Sequence, residues 1–207
     1  MQEYITILES STAEYSEKHS RFIATAQHCE SEQAAAQMIL DIKSKYWDAR
    51  HNVYAYVLQN GTVRFSDDGE PHGTAAKPIL DVILGSGITD VLITVTRYFG
   101  GTLLGTGGLV RAYSTSARDA LSLAQRVQMC PCTELVVDCE YSDYERLSKL
   151  IEKRGGTISN TDFTDKVRIE FMLKTTELNE FEHKLSEAFF GKIKAKAQKE
   201  ISFPIKI

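Results

Sequence analysis

Apolar residues return along this chain at two intervals, and the interval marks out the elements. In Val91-Leu92-Ile93-Thr94-Val95-Thr96 nearly every residue is apolar or β-branched, which predicts a central strand buried on both faces. Leu109, Ala112, Tyr113, Ala117, Ala120 and Ala124 recur at helical spacing and predict a helix beginning near Thr106. Earlier strands are expected near Tyr4 to Leu8, Arg21 to Gln27, Asn52 to Leu58 and Thr62 to Phe65. The last two are joined by Asn60-Gly61, a strong hairpin signal. Ala35, Met38, Ile39 and Ile42 form the apolar face of a helix starting after Ser31, and a further helix is expected from about Thr74 to Leu84. These elements describe an α+β sandwich with helices on a mixed sheet.

The later part reads more regularly. Leu135, Val137, Cys139 and Tyr141 alternate with Val136, Asp138 and Glu140, the period of a strand with one buried face. Ser142 and Glu145 have the spacing of a capping box, Leu147, Leu150 and Ile151 follow at helical spacing, and Gly155-Gly156 end that helix. A short strand at Ile158 is expected to turn at Asn160-Thr161-Asp162 into an alternating strand over residues 167–174. Leu178, Phe181, Leu185, Ala188 and Phe189 mark a second helix, and Ile201, Phe203 and Ile205 a last strand. The order β-α-β-β-α-β predicts a ferredoxin-like plait. Ten of the 13 glycines fall between Gly61 and Gly108, and Pro131 should stop the preceding helix, so the junction is placed near residue 131. Two domains are expected, over residues 1–130 and 133–207.

Composition narrows the function. The 207 residues are 43% hydrophobic and 25% charged, so disorder is not the default. Lys and Arg number 24 against 28 Asp and Glu, so any attraction to nucleic acid must come from a local patch. No apolar run reaches the roughly 18 residues of a spanning helix, and the N-terminal sequence lacks the pattern of a secretion signal. The expectation is a cytoplasmic protein without membrane attachment. Cys29, Cys130, Cys132 and Cys139 are too few and too unevenly placed for a disulfide framework, and they lack paired C-x-x-C zinc spacing. No metal or cofactor is therefore expected.

Two loops carry candidate chemistry. The segment from Arg97 through Gly100, Gly101, Gly105, Gly107 and Gly108 follows a buried strand and opens a helix, so its free N–H groups could meet at an anion. It lacks the GK[ST] of a phosphate-binding Walker loop and does not fit G-x-G-x-x-G. Arg97 and Arg111 could add guanidinium contacts, and Arg118 and Arg126 continue the face that Arg111 begins. The alternative is that the glycines serve close packing while the arginines are solvated. The acidic loop holds Asp67, Asp68 and Glu70, which could hold a divalent cation or supply a general base. They could equally cap a helix or pair with Arg97 or Arg50. His51 opens a strand and is the other titratable candidate. No serine or cysteine lies in a nucleophile-elbow pattern.

The blocks Ala49-Arg50-His51-Asn52, Phe65-Ser66-Asp67-Asp68-Gly69-Glu70-Pro71, Gly73-Thr74-Ala75, Thr96-Arg97-Tyr98-Phe99-Gly100-Gly101 and Leu104 through Tyr113 resemble the IMPACT/YigZ family. The resemblance covers nearly the whole chain. Ala76 departs from it, since the family usually has Gly there, and His72 fills a variable position. The resemblance implies a first domain of the ribosomal-protein-like type seen in the fourth domain of elongation factor G, and a second like that factor's last domain. It implies a role in translation, because eukaryotic relatives regulate it by binding a partner of the starvation-responsive initiation-factor kinase.

The reading is a non-enzymatic, cytoplasmic binding protein linked to regulation of translation, contacting RNA, the ribosome or a translation-related protein. Arg97, Gly100, Gly101, Gly105, Gly107, Gly108 and Arg111 would form its anion or partner site, with His51, Asp67, Asp68 and Glu70 in the accompanying motif loop. The plait lacks an RNP1 sequence, so base-stacking of that kind is not expected. The alternatives are a metal-assisted phosphoester or small-molecule enzyme, for which the acidic and glycine loops must converge, and a protein adaptor.

Overall fold

The computed structural model describes residues 2–207. They form two compact units, one of residues 4–128 with Lys206 and Ile207, the other of residues 129–205 with Gln2 and Glu3. The elements are β1 (Tyr4–Ile7), β2 (Ser11–Glu17), β3 (Ser20–His28), α1 (Glu32–Lys45), β4 (His51–Val57), β5 (Val63–Ser66), α2 (Ala76–Ser86), β6 (Val91–Tyr98), α3 (Thr106–Leu123), β7 (Arg126–Cys139), α4 (Tyr144–Lys153), β8 (Thr157–Phe163), β9 (Val167–Lys174), α5 (Leu178–Phe189) and β10 (Ala195–Lys206).

In the first unit the strands lie in the order β2-β3-β6-β4-β5. Each neighbouring pair is antiparallel, so the sheet is not the mixed one expected. The reason is that α1 carries the chain from β3 across a vacant slot to β4, which runs the same way, and β6 later fills that slot in the opposite direction. β6 is the buried central strand that its composition predicts. Ile93 and Val95 join Phe22, Val53, Ile79, Ile83 and Tyr113 in a core beneath α2 and α3. Leu92 faces the other side, packing with Cys29, Ala35, Tyr56 and Leu58. Full burial of a side chain such as Ile79 or Ile83 contributes roughly 1.5–3 kcal/mol. The Ser31 side chain caps α1 by accepting from Ala34 N–H.

The second unit follows the β-α-β-β-α-β order, with β9 beside β7, β8 beyond β9, and β10 on the other edge of β7. Leu147 and Ile151 of α4 and Phe181, Leu185 and Phe189 of α5 all join the cluster formed by Leu135, Val137, Ile169 and Phe171. Both helices thus cover one face of this sheet, as in the ferredoxin-like plait. Gly155 and Gly156 close α4 by donating to Glu152 O and Ile151 O.

Several local expectations are corrected. Pro131 does not end α3, which stops at Leu123; Pro131 lies inside β7. Ala124 is already extended, and Gln125 O accepts from Leu8 N–H, so strand pairing replaces the helix before the proline is reached. Ser142 and Glu145 make no capping box, because the cap position falls at Asp143 and makes no side-chain cap bond. Asn160, Thr161 and Asp162 are not a turn but part of β8, which accommodates an irregularity between Ile158 and Asn160. All four cysteines are buried free thiols.

Candidate functional site

The acidic loop connects β5 to α2, and its three carboxylates have three different partners. Asp67 accepts from the N–H groups of Gly73 (2.9 Å), Ala75 (3.3 Å) and Ala76 (2.8 Å), supplying the N-terminal cap that Ala75 itself cannot. Asp68 accepts from Lys43 Nζ at 2.8 Å and from Asn52 N–H at 2.7 Å. Burial alone would raise its carboxyl, but the Lys43 and Asn52 hydrogen bonds and the charges of Lys43 and His51 outweigh it and hold the group below its ordinary value. Glu70 turns inward, only 3% exposed, and accepts from Arg97 Nη1 at 2.6 Å and Tyr113 Oη at 2.7 Å. Burial, then the neighbouring Glu70 charge, pushes the Tyr113 hydroxyl far above its ordinary value, so it remains a donor.

His51 stands opposite Arg97 in the β4–β6 register. Its Nδ1 lies 2.8 Å from Asp68 O, and because a carbonyl only accepts, Nδ1 carries the proton. Its Nε2 lies 3.9 Å from Glu70 Oε1. His51, Glu70, Arg97 and Tyr113 therefore form one buried polar cluster. The two motif loops do meet here. A cavity of about 400 Å³ is lined by His51, Gly69, Glu70 and Pro71 on one side and by Arg97, Phe99 and residues 103–106 on the other.

The glycine loop serves two purposes. Gly100 is required for packing: a Cβ there would lie 2.0 Å from the backbone carbon of His19, and its N–H donates to Ser20 Oγ at 3.2 Å. Gly101, Gly105 and Gly107 are exposed. Gly105, at φ +73°, is the N-cap of α3 and offers no side-chain cap; its carbonyl accepts the first helical bond, from Leu109 N–H.

The expectation that Arg97 and Arg111 flank one anion is not met. Arg97 is held inside by Glu70 and, at 3.5 Å, by Ser20 Oγ. Arg111 projects from the outer face of α3, where it lines a separate recess with Gly108, Tyr15, Glu17 and Arg118. Arg118 also belongs to a groove of about 620 Å³ between α2 and α3, along with Lys77 and Arg126, although Arg126 does not continue the helical face of Arg111 as expected, because α3 stops at Leu123 and Arg126 opens β7. The two recesses thus share Arg118 and form a path carrying Lys77, Arg111, Arg118 and Arg126 against the acidic Asp81 and Glu17. Lys77 pairs with Asp81, and Tyr15 donates to Glu17, whereas Arg111, Arg118 and Arg126 make no ion pair among the described residues. Among those residues no group of three or more His, Cys, Asp or Glu side chains is placed to hold a metal.

Sequence reading missed Tyr113 as Glu70's second donor, treating it only as part of an apolar helix face. The signal was the hydroxyl, which a fully buried position obliges to find a partner. Ser20, which ties both Gly100 and Arg97, carried no comparable signal.

The Impact N-terminal domain matches residues 18–121, and a domain of unknown function, DUF1949, matches residues 137–192. The chain is 36% identical to the IMPACT family member YigZ of Escherichia coli (strain K12) over 88% of its length and 92% of that protein. It is 34% identical to an IMPACT family member of Haemophilus influenzae over 93% of its length and 96% of the relative. A crystal structure of an hypothetical protein matches with a TM-score of 0.62 at 33% identity, covering 96% of this chain and 98% of that one. The sequence blocks that converge on the His51–Glu70–Arg97 cluster lie within the first matched domain, and the chain belongs to the IMPACT family.

Proposed function

We propose that this protein is a non-catalytic, cytoplasmic binding protein of translation regulation that docks on RNA through the outer face of α3 and the start of β7. The observation that carries the reading is the set of three exposed guanidinium groups, Arg111, Arg118 and Arg126, without an acidic partner among the described residues. Surface arginines that are paired with neighbouring carboxylates have little left for a ligand, whereas unpaired ones along adjoining recesses suit a run of phosphates. Arg111 and Arg118 lie seven residues apart, roughly 10 Å along a helix, a distance over which one nucleic-acid strand presents about three charges at roughly 3.4 Å of axis each. The net charge of −4 makes the local character of this face decisive, because the molecule as a whole repels RNA.

The test is binding to ribosomal RNA and to whole ribosomes as a function of salt. Arg111→Ala, Arg118→Ala and Arg126→Ala combined should reduce the slope of log K against log salt by about 2, since each lost phosphate contact removes roughly 0.7 to 0.9. An unchanged slope, or no association at low salt, would sink the RNA reading and leave an acidic protein surface as the occupant of the groove.

A further inference from the structure

We propose that the cavity between His51 and the start of α3 binds a small organic anion with an apolar body, a carboxylate or a phosphate monoester. Four features converge on that chemistry. Arg97 lines the cavity with its side chain only 6% exposed, and its Nε has no hydrogen-bond partner, although both terminal nitrogens are engaged. A buried donor left unpaired is rare in folded proteins and asks for an acceptor. The second feature is the uncapped start of α3, where the N–H groups of Thr106, Gly107 and Gly108 precede the first helical bond and Gly105 and Thr106 form part of the wall.

The third feature is charge. The charge of Glu70 is balanced by Arg97, which donates to its Oε1 as Tyr113 does. Arg50, also in the lining, makes no ion pair among the described residues and lies over Phe99, 5.5 Å from the ring centroid. The local excess is positive. The fourth is the apolar side. Phe99 and Leu103 are 38% and 82% exposed at the cavity, with Leu104 and Leu109 behind them, a wall that water gains nothing from wetting. Because Nδ1 of His51 is committed to Asp68 O, Nε2 is the ring nitrogen left to meet a ligand.

This site shares no arginine with the RNA face, so the two readings fail separately. The test uses the full chain labelled with 15N and titrated with phenyl phosphate, phenylacetate and inorganic phosphate. At least one aromatic anion should shift the Thr106, Gly107 and Gly108 amides and the His51 ring signals saturably. Inorganic phosphate, lacking the body, should bind at least about tenfold more weakly. The tighter of the two aromatic anions identifies the headgroup. Arg50→Ala and Leu103→Ala, both at exposed positions, should each weaken binding about fivefold or more, while Arg111→Ala with Arg118→Ala leaves it unchanged. No saturable shift by either aromatic anion, equal binding of inorganic phosphate, or indifference to Arg50→Ala would overturn the proposal.

Discussion

Glu70 is surrounded by groups that need its charge, and its replacement shows how the cluster is held. Glu70→Gln would leave the Arg97 guanidinium buried without a counter-charge, and breaking one side of a buried pair costs about 3–5 kcal/mol. Tyr113→Phe removes one neutral donor and leaves the ion pair intact, so the expected loss is only about 1–2 kcal/mol. Urea unfolding of the two variants should separate them by at least a factor of two in ΔΔG; equal losses would mean the pair is hydrated. Asp68 supplies a pH-dependent contribution. Its folded pKa is depressed, so its stabilisation is present above the ordinary carboxylate value and is lost as pH falls through the folded value. Asp68→Asn keeps a side-chain oxygen for Asn52 N–H and tolerates the left-handed backbone at φ +45°, but loses the attraction to Lys43. It should cost about 1 kcal/mol at neutral pH, with the gap to wild type closing below about pH 4. The residue types in this loop were legible in the sequence, as were both of their options, metal or base against cap or ion pair. Which carboxylate takes which partner depends on Asp68 and Gly69 both being left-handed, which swings Glu70 inward while Asp67 reaches α2, and spacing alone does not encode that.

At the scale of elements, a glycine of the β6–α3 loop and one in the first turn of α3 separate packing from recognition. Gly100→Ala would drive a methyl into the His19 backbone, which belongs to the β2–β3 turn and cannot rotate away as a side chain would. The expected loss is about 3 kcal/mol or more, seen as a lowered Tm. Gly107→Ala, in open space on α3, should be neutral or stabilising by about 0.5 kcal/mol. Equal destabilisation by both would show that the loop tightens as a whole. Elements with a strong apolar period, such as β6, α3 and α5, were legible from spacing. β2 was not: Ser11–Glu17 is largely polar and its residues are half-buried or exposed, so an edge strand held by main-chain pairing to β3 leaves almost no hydrophobic trace. The second half of β8 escaped for the same reason: the short strand at Ile158 was expected, but Asn160 and Asp162, turn-forming in isolation, are paired with Glu170 and Arg168.

For the whole molecule, each unit has its own core, and the three unpaired arginines all belong to the first. Phe171 is fully buried in the second unit, with its ring 5.3 Å from that of Phe181. Phe171→Ala should cost the second unit about 3–5 kcal/mol, enough to reduce amide-exchange protection in β9 by two orders of magnitude or more. If the α3 face binds RNA by itself, protection in β6 and the salt slope for RNA should both survive that substitution. A slope that falls along with β9 protection would instead assign phosphate contacts to the second unit. Its basic residues would then have to be sought outside the pairs already formed by Arg168 with Asp138, Lys166 with Glu140 and Lys199 with Glu134. Arg111, Arg118 and Arg126 make no such pair among the described residues, which is why the surviving slope is the expected outcome.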